Sequence, residues 1–139
     1  MHKEELQAAY KRLILPENKA PYHFEERNGG TSVEAYNPMC GDKYQLHLSE
    51  NLQQIHFHGI GCAISKASTS LLLKEIEGKS REEAETFCKQ FIEAVDKGET
   101  SPTFSEPLNV LISLKEFDGR VDCIQLSWKA LLAHLENSK

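Results

Sequence analysis

Apolar and polar positions change period along this chain, and each change marks an element. Leu6, Ala9, Tyr10, Leu13 and Ile14 recur at helical spacing, which predicts an amphipathic helix ended by Pro16. Residues 18–30 are polar and turn-rich and predict an irregular segment. The period then becomes two. Tyr44, Leu46 and Leu48 alternate with Gln45 and His47, and beyond a turn at Glu50 and Asn51, Ile55 and Phe57 alternate with His56 and His58. That pattern predicts a hairpin with its apolar face buried and its histidine face in solvent. Weaker alternation over residues 32–37 predicts a third strand.

From Cys62 the spacing is helical again, with Ile64, Ala67, Leu71 and Leu72 on one side and Gly78 at the end. Ser80 and Glu83 form a capping box for the next helix. Its inward stripe is Ala84, Phe87, Cys88, Phe91, Ile92 and Val95, closed by Gly98. Residues 99–107 predict a loop and residues 110–117 short helical turns. Ile124, Trp128, Leu131 and Leu135 mark a final helix whose stripe makes Trp128 a core residue. The expected fold is α+β: a small three-stranded antiparallel sheet with helices packed on one face, forming a single domain over residues 1–139.

Composition narrows the class of function. With 40% hydrophobic and 27% charged residues, the chain has an ordinary globular balance. The net charge of −5 comes from interspersed acids and bases, so no basic stripe points to nucleic acid. The opening MHKEELQAAYKRLILP lacks the apolar core of a signal peptide. Leu71–Leu73 is followed at once by Lys74 and Glu75, so no run reaches membrane-spanning length. These features predict a cytoplasmic protein, in which four cysteines serve as free thiols or metal ligands rather than disulfides.

Cys88 lies mid-helix on an apolar stripe and reads as core. Cys40, Cys62 and Cys123 instead fall at element boundaries, and Asp42 follows Cys40 across Gly41. Three sulfurs and a carboxylate suit a tetrahedral zinc or one face of an iron–sulfur cluster. Gly41 lets the backbone turn so that Cys40 and Asp42 can approach one ion, and Gly59 and Gly61 relax the strand before Cys62. Cys62 and Cys123 begin helices, where unpaired N–H groups favour thiolates. There is no CxxC pair, so spacing leaves both a shared site and scattered structural cysteines open. His47, His56 and His58 read as solvated surface, and His2, His23 and His134 have no convergent context.

The stretches NPMCGD, GIGCAISKASTSLL, EIEGKSREEA and RVDCIQLSWKAL, in that order, resemble the U-type iron–sulfur cluster assembly family, which includes IscU scaffolds and SufU proteins. The resemblance implies the NifU-like fold and makes Cys40, Asp42, Cys62 and Cys123 the metal-site residues. IscU-like members place a histidine immediately before the last cysteine, where this chain has Asp122. SufU-like members lack that histidine, carry an extra segment before the last cysteine and have a nearby arginine. Residues 97–119 and Arg120 match those features, so the chain is similar to the SufU branch.

That branch implies zinc, sulfur acceptance from a pyridoxal-phosphate (PLP)-dependent cysteine desulfurase of the SufS kind, and delivery to downstream SUF-type cluster assembly proteins. Arg120 would offset the negative charge left by three thiolates and a carboxylate on a divalent metal. That charge is the same for a [2Fe–2S] core, so it does not choose between zinc and cluster. Cys40, in a turn beside Gly41, is the expected sulfur acceptor. The alternatives are an IscU-type scaffold that assembles a [2Fe–2S] cluster on the same residues and a structural zinc module that moves no sulfur.

Overall fold

Period-two alternation becomes three strands: β1 (Thr31–Asn37), β2 (Asp42–Leu48) and β3 (Ile55–Ile60), antiparallel and in the order β1-β2-β3. The computed structural model describes residues 2–27, 29–118 and 120–137, with the side chains of residues 116–118 left out. Register pairs Val33 with Leu46 and Leu46 with Phe57, so one face of the sheet presents Val33, Ala35, Tyr44, Leu46, Leu48, Ile55 and Phe57, all buried. The same register sets Asn37 opposite Asp42 and Tyr44 opposite Gly59. It thereby brings the β1–β2 turn and the end of β3 to one edge of the molecule.

The helices are α1 (Lys3–Ala9), α2 (Leu15–Lys19), α3 (Ala63–Ile76), α4 (Arg81–Lys97), α5 (Glu106–Asp118) and α6 (Val121–Asn137). Helix α6 packs against α3 and α4 and reaches β1. At the centre Trp128 lies 4.1 Å from the Phe91 ring, with its indole N–H donating to Ser68 Oγ at 3.0 Å. Ser80 and Glu83 form the expected capping box, and Gly98 closes α4 in the left-handed conformation. Among the described residues no helix is long and apolar enough to cross a membrane.

Three expectations are corrected. Pro16 does not end the first helix. A π-helical turn over Tyr10–Ile14, with Leu15 N–H bonding to Tyr10 O, leads directly into α2, which carries the proline in its first turn. There the missing N–H costs little. Residues 106–118 form one continuous helix rather than short turns after a loop. Leu108, Val110, Leu111, Ile112 and Leu114 are all buried, so no polar face reveals its period to the sequence.

Two histidines of the polar face of the sheet, His47 and His56, are not open to solvent, while His58 is half-buried. His47 and His56 are each 8% exposed, and Phe24 bridges to Phe57 so that the preceding segment lies along β3. His47 Nε2 meets His58 Nδ1 at 2.9 Å, His56 pairs with Glu25 at 3.2 Å, and His23 stacks on His56. Glu77 ties this segment down by accepting from Tyr22 Oη at 2.5 Å and from Ile55 N–H at 3.1 Å.

Burial, then neighbouring His58, holds His47 below the ordinary histidine pKa; burial, then Arg27 and His23, does the same for His56. The native state therefore binds fewer protons than the unfolded chain below about pH 6.5. This contribution is fully present above that value and is lost as the pH falls toward the folded pKa values. Urea unfolding should show stability declining as the pH falls below about 6.5, each histidine contributing at most about 1.4 kcal/mol per pH unit. His47→Gln and His56→Gln should each flatten the decline; a flat wild-type profile would contradict the assignment.

Candidate metal centre

The β1–β2 turn is organised by Asn37. Its carbonyl accepts from Cys40 N–H at 3.3 Å and Gly41 N–H at 2.9 Å, its Oδ1 accepts from Met39 N–H at 3.0 Å, and its Nδ2 donates to Cys40 Sγ at 3.4 Å. Gly41 sits at φ +75°, a conformation that a side chain would strain. The turn leaves Cys40 exposed and delivers Asp42, the first residue of β2, at 2% exposure. Asp42 Oδ1 accepts from Cys62 N–H at 3.0 Å. Its Oδ2 is buried with no hydrogen-bond partner among the described residues.

Cys62 is the N-cap of α3, its sulfur accepting from Ser65 N–H at 3.4 Å. Cys123 lies buried in the first turn of α6. Donor atoms of Cys40, Asp42 and Cys123 all lie within 4.8 Å of one another. The Cys62 sulfur falls outside that trio, held toward Ser65, but opens onto the same cleft. The cleft, about 480 Å³, is also lined by Arg120, Asp122, Ile60 and Gly61. Cys88 is remote from it, enclosed in α4 at 0% exposure, and burial pushes its thiol pKa up to about 12.

Crowding of like charge is the electrostatic signature of the cleft. Burial raises the Cys123 thiol far above its ordinary range, and Cys62, Asp42 and Cys40 beside it add to the rise. Negative charge gathered beside Cys123 opposes its ionisation, and a cation among these donors would relieve that opposition. The orphaned Asp42 Oδ2 and three nearby sulfurs form a donor set that fits a divalent metal.

Gly61 makes the packing possible. A Cβ there would stand 2.3 Å from Tyr44 Oη, 2.6 Å from Ser65 Oγ and 2.8 Å from Asp42 Oδ1. Three residues around the cleft escape a reading of the sequence alone. Asn37 is visible only as the turn-forming Asn37–Pro38 pair, and Ser65 only as the residue three beyond a capping Cys62. Tyr44 falls on the apolar stripe of β2, which conceals the role of its hydroxyl.

A three-stranded antiparallel sheet joins a hairpin thiol and carboxylate to two helix-start cysteines, a small α+β domain with a donor set that could hold a metal ion. The family described as NifU-like N terminal domain matches residues 7–110. The chain is 32% identical over 134 residues to the iron–sulfur cluster assembly scaffold protein IscU of Streptococcus pyogenes serotype M1, covering 93% of this chain and 84% of that one. It is 31% identical over 130 residues to the zinc-dependent sulfurtransferase SufU of Bacillus subtilis strain 168, covering 91% and 88%. A crystal structure from Fervidobacterium islandicum AW-1, described as a SUF-system scaffold protein, is similar at a TM-score of 0.77 and 28% identity, covering 93% of this chain and 98% of that one. The chain belongs to the NifU-like N-terminal domain family and is similar to its iron–sulfur cluster assembly members of the IscU/SufU type.

Because the atoms facing Gly61 are fixed by their own hydrogen bonds, Gly61→Ala should overpack the cleft and destabilise the fold by about 1–3 kcal/mol. Denaturant unfolding would measure this, and a loss below about 0.5 kcal/mol, the range of a neutral surface change, would show that the cleft yields freely.

Proposed function

We propose that this protein binds zinc through Cys40, Asp42, Cys62 and Cys123 and accepts sulfur on Cys40 from a cysteine desulfurase, the SufU-like branch of the family's work. The observation that carries the reading is the contrast within one cleft. Cys40 is exposed on a hairpin tip, while Asp42 and Cys123, whose donor atoms lie within 4.8 Å of it, are buried. A structural zinc module has no use for an exposed ligand on a turn hinged by glycine. Zinc in this donor set would hold the thiols as thiolates and link metal binding to folding.

The chain's own residues account for the transfer. Cys40, carried on the Gly41 hinge, turns outward from Asp42 and Cys123, and its thiolate attacks the terminal sulfur of a persulfide on the donor cysteine. A new sulfur–sulfur bond forms on Cys40, the donor's bond breaks, and the electron pair leaves with the donor's cysteine thiolate. No external oxidant or reductant enters. Buried Asp42 and Cys123 stay in place while Cys40 is loaded, and Arg120 on the wall of the cleft offsets negative charge gathered there.

The partner surface adjoins the acceptor. Tyr36, Lys43 and Ile60 form a row across the three strands in register, with Tyr36 52% and Ile60 72% exposed, and Met39 is 91% exposed beside Cys40. This apolar rim suits a PLP-dependent desulfurase of the SufS kind, with SUF-type assembly proteins as recipients. The scaffold reading, with a [2Fe–2S] cluster as cargo, uses the same donors.

Metal analysis should find one zinc per chain, retained in Cys88→Ala and lost on chelation with a fall in melting temperature. At a free zinc concentration 100 times its dissociation constant, the linkage is worth about 2.7 kcal/mol. Brown protein with stoichiometric iron and sulfide and no zinc would favour the scaffold instead. Incubation with desulfurase and cysteine should add the mass of sulfur to the Cys40 peptide, and Cys40→Ala should abolish that acceptance. Acceptance by Cys40→Ala at the wild-type rate would remove Cys40 from the role.

A further inference from the structure

The cleft treats its thiols unequally, and the difference is built from two hydroxyl groups outside it. Ser65 is 1% exposed and Tyr44 0%. Their oxygens lie 2.7 Å apart, and Ser65 Oγ stands 3.6 Å from Cys62 Sγ and 3.1 Å from Cys62 O. Ser65 also gives its backbone N–H to Cys62 Sγ at 3.4 Å. Thr69 Oγ1 donates to the Ser65 carbonyl at 2.8 Å and meets Ser127 Oγ at 2.6 Å, which locks this turn of α3 to α6.

We infer that Ser65 and Tyr44 are positioning residues that hold the Cys62 sulfur as a fixed ligand and so direct sulfur acceptance to Cys40, an inference that rests on the proposed function above. The hydroxyl of Ser65 can serve either form of Cys62. With a thiol, the S–H donates to Ser65 Oγ while the Ser65 O–H serves the Cys62 carbonyl. With a thiolate, the Ser65 O–H turns to the sulfur. In both cases the Tyr44 O–H donates to Ser65 Oγ, so no hydroxyl in the chain is stranded. A thiolate that receives two donors at the start of a helix is orientationally pinned and its lone pairs are engaged, which lowers its power to attack sulfur. Among the described residues Cys40 carries a single side-chain donor, Asn37 Nδ2 at 3.4 Å, on an exposed turn. The space for this relay exists because position 61 has no side chain, since a Cβ would occupy the place of both oxygens.

The test compares wild type with Ser65→Ala and Tyr44→Phe. Each protein is loaded with cobalt(II) and, separately, incubated as the zinc form with a PLP-dependent cysteine desulfurase and cysteine before peptide mass analysis. Donors to a thiolate lower its lone-pair energy. Ser65→Ala should therefore move the sulfur-to-cobalt charge-transfer band to longer wavelength and weaken zinc binding about 10–100-fold. Tyr44→Phe should do the same to a smaller extent. Wild type should carry sulfur on the Cys40 peptide alone, and both variants should spread a share to the Cys62 peptide. If Ser65→Ala fails to fold, Tyr44→Phe decides. A cobalt band and a Cys62 share that stay at wild-type values in the folded variants overturn the inference. If wild type accepts no sulfur at all, the sulfur-transfer reading is what fails, and the cobalt band and zinc affinity still decide whether the two hydroxyls govern the Cys62 sulfur.

Discussion

A buried carboxylate with one oxygen unanswered is the constraint around which this end of the molecule is arranged. Asp42 is 2% exposed; one of its oxygens is fixed by the Cys62 N–H and the other has no partner among the described residues. Removing a carboxylate from water is costly unless charge or hydrogen bonds replace the solvent. Here the replacement is only half supplied by protein, and what surrounds the open half is sulfur: Cys40 and Cys123 within 4.8 Å, Cys62 on the wall of the same cleft. A thiol is only a weak donor to a carboxylate, and each thiol that ionises adds to the repulsion. A cation resolves both difficulties at once, which is why the donor set points to a metal more strongly than the spacing of the cysteines does.

The rest of the fold can be understood as a means of holding that donor set unevenly. Cys62 and Cys123 ride on α3 and α6, and these helices are joined by polar contacts that neither can slide past. Ser68 Oγ donates to the Ile124 carbonyl at 2.6 Å, Thr69 meets Ser127, and Trp128 reaches Ser68. Each bond lies in a buried seam, where breaking it would leave an unsatisfied group costing about 1–3 kcal/mol. Cys40 has no comparable anchorage. It hangs from a four-residue turn whose internal bonds all come from one residue, Asn37. The two halves of the donor set therefore differ in stiffness before any ligand arrives.

Sequence patterns exposed the elements whose two faces differ chemically and missed those whose faces do not. Strand β2, the capping box at Ser80 and the stripe of α4 all contrast an apolar side with a polar one, so their period could be counted. Helix α5 is buried through Leu108, Val110, Leu111, Ile112 and Leu114 and offers little contrast, which hid its length. Pro16 misled because a proline is read as a stop, whereas a wider π-turn ahead of it lets the chain stay helical. His47 and His56 misled for another reason: alternation tells which residues share a face but not what later covers it, and here a segment alongside β3 sets the His23 ring and the Glu25 carboxylate against His56. For the candidate site, residue types with metal-binding chemistry drew notice to Cys40, Asp42, Cys62 and Cys123. Tyr44 and Ser65 stayed hidden because a tyrosine in a strand and a serine in a helix have structural explanations that suffice locally.

That concealment has a physical meaning. Tyr44 belongs to the core through its ring, 5.9 Å from Phe57, and to the cleft through its hydroxyl, 2.7 Å from Ser65. One side chain thus ties the position of the Cys62 cap to the packing of the sheet beneath it. Any shift of β2 relative to α3 large enough to part Tyr44 from Ser65 would also drag Asp42, two residues earlier on the same strand, away from the Cys62 N–H. The carboxylate, the cap and the hydroxyl relay consequently move as one body. The short turn that carries Cys40 is the part of the cleft held by the fewest contacts, which is where the proposed sulfur transfer would need freedom.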